Sequence, residues 1–307
     1  MRNVRTMRRP LTALAVSVAL LMTTLVGAVA AKDYTAWEPA ISAEVLPATE
    51  LNTSSLDGCP MQSPDGLILY FASNRLGTLG GLDIWVAYRG SSDGSFGDPV
   101  HLAAPINSSG DDFCPTPVRG KGLFFVSSRI VAGGCGGADI YFARQNSADG
   151  WTEPLNLGCS VNSALGEASP SYFEADGQAY LYFSSGPEIM VSLRQPDGSF
   201  GPASAVSELN TGFNEFRPNV TKNGLEIVFD SNRSGTLGGQ DLYFATRASV
   251  HDPWSTPINA GPNLNTAAAE LRGAFSWDGT TLHFGRNPGP EGSMDIFVST
   301  RTKANGG

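Results

Sequence analysis

The stretch Ser231–Tyr243, Ser-Asn-Arg-Ser-Gly-Thr-Leu-Gly-Gly-Gln-Asp-Leu-Tyr, occurs more than once. A near copy runs from Ser73 to Trp85, and weaker copies begin at Ser127 and Gly285. An internal repeat sets the architecture before any single residue does. Outward from it, Asn52, Asn107, Asn162, Asn210 and Asn265 each carry an acid five residues later: Asp57, Asp112, Glu167, Glu215 and Glu270. The asparagines are spaced 55, 55, 48 and 55 residues apart. Eight residues after the Asn stands Pro60, Pro115, Pro170 or Pro218, with Gly273 in the fifth copy.

A turn signal follows in most copies: Asp65-Gly66, Asp176-Gly177, Asn223-Gly224 and Asp278-Gly279. Both central residues of the favoured hairpin turn need positive φ, which Asn or Asp before Gly supplies. The next run ends in aromatics, and the Gly-rich loop leads to a third run opened by Asp83, Asp139, Glu188, Asp241 or Asp295. A segment with an aromatic and a Pro completes each unit, giving four strands in about 50 residues. Such units stack radially as propeller blades, because one blade alone cannot bury both faces.

The ends of the chain set the blade count. The fifth copy stops after its third strand at Arg301, and an unpartnered fourth-strand segment, Trp37 to Leu46, lies near the other end. The expected fold is all-β, a five-bladed β-propeller with blades of four antiparallel strands, closed by the N-terminal strand pairing into the last blade. The expected division is a signal peptide over 1–31, a single propeller over 32–301 and a tail over 302–307. Within the propeller, the closing strand spans 37–46 and the blades about 52–102, 107–157, 162–206, 210–258 and 265–301.

Arg2, Arg5, Arg8 and Arg9 precede the apolar run Leu11 to Val29, with small residues at Ala28, Val29 and Ala30. This is a secretory signal pattern, with a retained anchor as the alternative, so a periplasmic or secreted protein is expected. Without those four arginines the chain keeps 16 basic against 29 acidic residues. That acidic balance argues against nucleic acid or an anionic membrane surface as partner. A monomer without cofactor or metal is expected, since His101, His251 and His283 fall in unrelated repeat positions. Four cysteines in an exported chain invite disulfides. Cys59 and Cys114 occupy equivalent inner-strand positions of neighbouring blades, while Cys135 and Cys159 fall on one face, so these two pairings are favoured.

The repeat as a whole, with its Asn, Asp or Glu, Pro, Asp-Gly, Ser-Asn-Arg, Gly-Gly and Asp-Ile-Tyr elements, resembles the Asp-rich WD40-like repeat of TolB-type propellers. The resemblance implies a propeller that binds partners or ligands at the cell envelope, with no shared chemistry. An acid present in every blade is expected first to maintain the blade. Differences between blades are therefore the better guide to function. Copy three lacks the Gly-rich loop and its arginine, reading Ser184-Ser185-Gly186-Pro187-Glu188. Copies four and five carry Arg217 and Arg272 two residues beyond the acid, on the same face if the strand is regular. Glu167, Glu215, Arg217, Glu270 and Arg272 thus form the candidate ligand rim at the Gly-loop end of the channel.

The favoured reading is a non-enzymatic binding or scaffold propeller that holds a protein partner or a small acidic or saccharide ligand. The alternative is a carbohydrate-active hydrolase similar to the five-bladed arabinanases, with Glu167, Glu215 and Glu270 as its acids.

Overall fold

The computed structural model describes residues 34–44, 50–146 and 150–304. The signal segment and the last residues of the expected closing strand lie outside them. Twenty strands form five sheets of four antiparallel strands each, a five-bladed β-propeller. The innermost strands are Asp57–Gln62, Asp112–Val118, Glu167–Ala175, Glu215–Val220 and Ala269–Phe275. Ile41–Ser42 pairs with Asp295–Thr300 as the outer strand of the fifth sheet, so the two ends of the chain close the ring. Among the described residues no helix is long and apolar enough to cross a membrane.

The repeated asparagine fastens one blade to the next. The Asn107 amide accepts a bond from the Ile84 N–H and donates to the Ile84 carbonyl, copying a strand pairing at the third strand of the preceding blade. Asn162 with Ile140, Asn210 with Ile189 and Asn265 with Leu242 repeat the contact. Asn52 makes the same pair of bonds to Ile296 across the ring closure. Each blade also buries a phenylalanine completely at the same place on its second strand: Phe71, Phe125, Phe183, Phe229 and Phe284 are all 0% exposed. The apolar clusters lie between neighbouring sheets, where a sheet without its neighbour would expose them.

The proline eight residues after the Asn also has a cause. Every innermost strand bulges there, with register shifts at Gly58/Met61, Phe113/Thr116, Ala168/Ser171, Phe216/Asn219 and Leu271/Ala274. The residue before the proline or glycine is left-handed: Cys59, Cys114, Ser169, Arg217 and Arg272 have φ of 51° to 53°. A bulge leaves a backbone group outside the ladder, and proline has no N–H to lose there. The sequence expectation that the acid and the residue two further on share a face assumed a regular strand. The bulge removes that assumption.

Gly238 and Gly80 mark the closest backbone approach between blades. A Cβ on Gly238 would meet the Ala268 carbonyl oxygen at 1.7 Å, and one on Gly80 the Gly110 oxygen at 1.9 Å. The Gly-rich loop is packed against the next blade, which is why it recurs.

Candidate functional site at the loop end of blade three

At the Gly-loop end, four of the five repeated acids are engaged in the same way. Glu215 accepts bonds from the Thr211 N–H at 2.9 Å and the Thr211 hydroxyl at 2.7 Å, and pairs with Arg233 at 3.0 Å. Glu270 binds Thr266 and pairs with Arg286 at 2.8 Å. Asp57 with Thr53 and Arg75, and Asp112 with Ser108 and Arg129, do the same. All four carboxylates are fully buried. Each arginine in turn holds its own blade's entry segment, as Arg233 does through the Leu209 carbonyl. A buried carboxylate is tolerated where charge and hydrogen bonds both answer it.

Glu167 is the exception. It is 2% exposed, accepts from the Ser163 hydroxyl at 2.7 Å and the Ser185 hydroxyl at 2.9 Å, and has no arginine. Its Oε2 has no hydrogen-bond partner. Burial pushes its pKa above the ordinary carboxylate range, against the opposing bonds from Ser163 and Ser185.

The third-strand acids divide in the same manner. Asp241 accepts from the Leu237 and Gly238 N–H groups, Asp83 from Leu79 and Gly80, and Asp295 from Glu291 and Gly292. Asp139 accepts from Cys135. Glu188, in the blade whose Gly-rich loop is missing, is exposed, and its carboxylate has no hydrogen-bond partner among the described residues. Register places Glu167 opposite Ser185 and Ser185 opposite Glu188, so the two acids sit level on the first and third strands of the sheet, with the Ser185 strand between them. Sheet spacing puts their backbones about 10 Å apart.

The other rim residues fill the channel. Arg217 donates to Asp230 and to Gln240, both at 2.9 Å. Arg272, 1% exposed, reaches from blade five to the Thr116 hydroxyl of blade two at 3.2 Å. Burial first, and the like charge of Arg217 second, lower its pKa to about 9. Burial raises the Asp230 pKa, against the attraction of Arg217. Asn219 donates to Ser171 and accepts from the Phe275 N–H.

Cys59 is joined to Cys114, against which the Ser169 hydroxyl packs, and Cys135 is joined to Cys159. The structure thus separates Arg217 and Arg272 from the ring of acids. Asp230, Gln240 and Thr116, their partners, carry no repeat signature that the sequence could have offered. Glu188 had one, the shortened loop before it.

Neither a protein-family model nor a curated protein sequence matches the chain. Solved structures do. The xylan β-1,4-xylosidase from Bacillus halodurans C-125 superposes with a TM-score of 0.53 at 14% identity, covering 83% of this chain. This chain spans 56% of that one. The GH43 endo-arabinanase from Bacillus licheniformis gives 0.52 at 12% identity, covering 80% of this chain and 94% of that one. The α-L-arabinofuranosidase from Lactobacillus brevis gives 0.54 at 13%, covering 87% and 98%. At these identities the likeness establishes the fold, a five-bladed propeller.

Two expectations are thereby corrected. The TolB-type resemblance holds only as far as the propeller itself, since the solved structures above are glycosidases and no family model matches. The reading as a non-enzymatic binding or scaffold propeller gives way for the same reason: these like-folded proteins are enzymes of the class held as the alternative. Of the rim residues named from the sequence, Arg272 reaches across to Thr116 and Arg217 pairs with Asp230.

Proposed function

We propose that the protein is a carbohydrate-active hydrolase acting on a pentose-containing polysaccharide at the loop end of blade three. The substrate class comes from the arabinanases and xylosidases that share its fold. The observation that carries the reading is the release of two repeat carboxyls, Glu167 and Glu188, from the roles their counterparts perform.

Glycoside hydrolysis needs one carboxyl that holds a proton and one that is ionised. Glu167, buried without a countercharge, is the group suited to hold the proton and give it to the departing glycosidic oxygen. Glu188, exposed, is suited to take a proton from the attacking water. Water's oxygen then bonds the anomeric carbon as the C–O bond breaks. A backbone separation of two strand spacings, about 10 Å, leaves the carboxyls nearer the roughly 6.5 to 9.5 Å that goes with inversion than the roughly 5 to 5.5 Å of retention. Glu215 and Glu270, candidates from the sequence, stay in the role of blade fasteners because Arg233 and Arg286 neutralise them. Export by the N-terminal segment belongs to the same proposal, supported by two disulfides in a chain with no free cysteine among the described residues.

Reducing-end release from arabinan and xylan, read for wild type and for Glu167→Gln and Glu188→Gln, tests it. The expected outcome is turnover in wild type and a loss of at least a hundredfold in each variant with folding retained. Absence of turnover on the whole panel, or full activity in both variants, rejects the assignment.

A further inference from the structure

The opposite end of the propeller carries a second feature. A cavity of about 630 Å³ opens between blades two and three at the end of the Asp-Gly turns and reaches the inner-strand ends of blades four and five. Its volume lies within the roughly 300 to 1,000 Å³ of small-molecule sites. Arg119, Arg144, Arg194 and Lys222 line it, against the single carboxylate of Glu174. In a chain with 29 acids and 20 bases such a local excess of positive charge runs against composition.

None of the four cations has an acidic partner within ion-pair distance among the described residues. Lys222 donates to the Tyr172 carbonyl at 2.8 Å, Arg144 to that of Gly120 and Arg194 to that of Gly198, both at 3.3 Å. Glu174 instead accepts from the Tyr172 hydroxyl. The Lys222 ammonium and the Arg119 guanidinium both lie against Trp277, at 4.6 and 4.7 Å from its ring centroid. Two like charges held beside one indole, with no carboxylate between them, form a locus for an anion. The wall beside it is aromatic, from Phe142 and Tyr172 to Trp277, a surface on which the C–H face of a ring can lie.

Arg119, Lys222 and Trp277 stand at one repeat position, immediately before the turn dipeptides Gly120-Lys121, Asn223-Gly224 and Asp278-Gly279, where blades one and three have Pro64 and Ala175. The repeat itself does not require them.

We propose that this turn-end cavity binds an acidic saccharide, its carboxylates held by Lys222, Arg119 and Arg194 and its ring faces laid on the aromatic wall. The cationic site stands on its own geometry. The choice of a saccharide as the ring rests on the hydrolase reading.

Intrinsic tryptophan fluorescence of the full chain, titrated with trigalacturonate, arabinotriose and benzoate, tests it. Trigalacturonate is expected to give a saturable change that arabinotriose does not give. Affinity is expected to fall about tenfold or more in Arg119→Gln and Lys222→Gln, with the thermal transition retained. Arg194→Gln, at an exposed side chain, gives the same weakening without risk to the fold.

Unchanged affinity in Arg194→Gln and Arg119→Gln overturns the site, and so does equal binding of arabinotriose. Benzoate binding as tightly as trigalacturonate overturns the saccharide. Glu167→Gln keeps the trigalacturonate response while losing polysaccharide turnover, so failure of one assignment is distinguishable from failure of the other.

Discussion

Blades three and four are built on one plan and use their carboxylates in opposite ways. In blade four, Glu215 is answered by Thr211 and Arg233, and Asp241 by the N–H groups of Leu237 and Gly238. In blade three the loop that would supply both the arginine and the N–H groups is absent. Glu167 is left with two serine hydroxyls and Glu188 with solvent. The same acid at the same strand position is therefore a charge-neutralised fastener in one blade and a buried carboxyl without a countercharge in its neighbour. What separates them is the presence of donors and a countercharge, not the residue type.

The largest effect that would break this contrast is on stability. Glu215→Ala leaves Arg233 buried without its partner and the Thr211 N–H without an acceptor, which should cost about 3 to 4 kcal/mol. Urea unfolding should show the loss as a lower midpoint. A loss under about 1 kcal/mol would mean that the ion pair is not the fastener.

Next comes the covalent tie between blade two's loop and the entry to blade three. Cys135 and Cys159 close a loop of 24 residues. Replacing both by serine should cost about 3 kcal/mol by loop-closure entropy. The same unfolding assay under oxidising conditions measures it. This bridge stands beside the place where the Gly-rich loop is missing, so its removal should loosen blade three before the others.

A smaller effect concerns the turn end. Burial, helped by the like charge of Arg119, lowers the Lys222 pKa to about 8. The other titratable groups facing it are Tyr172, whose hydroxyl is pushed up to about 12, and Glu174. The Tyr172 hydroxyl keeps its proton through this range, so trigalacturonate affinity should fall as pH rises through about 8, by up to tenfold. The fluorescence titration repeated across that range checks it, and a flat profile would remove Lys222 from the site.

Smallest is Glu167→Gln itself, expected to change stability by about 0.5 kcal/mol or less at low pH, where the native carboxyl is already protonated. Because its folded pKa is raised, the wild-type protein loses stability as pH climbs through and above the ordinary value of 4.5. The variant should then become the more stable of the two near neutral pH. Thermal melts of the pair at pH 4 and pH 7 would show the crossing.

Much of this contrast was legible in the residues. The spacing of Asn, acid and Pro gave the blades. Trp37 marked the closing strand, and Arg301 lies over its ring at 4.3 Å as Arg247 lies over Trp254 at 4.1 Å. The missing loop after Ser184 singled out blade three. Less could be read where the chain departs from a regular strand. The left-handed residue at Arg217 and Arg272 sends those side chains to Asp230 and across the channel to Thr116, contacts between segments 13 and 156 residues apart. No local pattern encodes such a contact.

The sequence by itself determined the number of blades, the closure of the ring and the positions that every blade shares, because each follows from a periodic local pattern repeated along the chain. Only the tertiary structure decided which of the repeated acids is neutralised and that Arg119, Lys222 and Trp277 meet in one cavity. Charge compensation and convergence depend on distances through space, and a ring of five blades brings together at its centre residues that the chain keeps far apart.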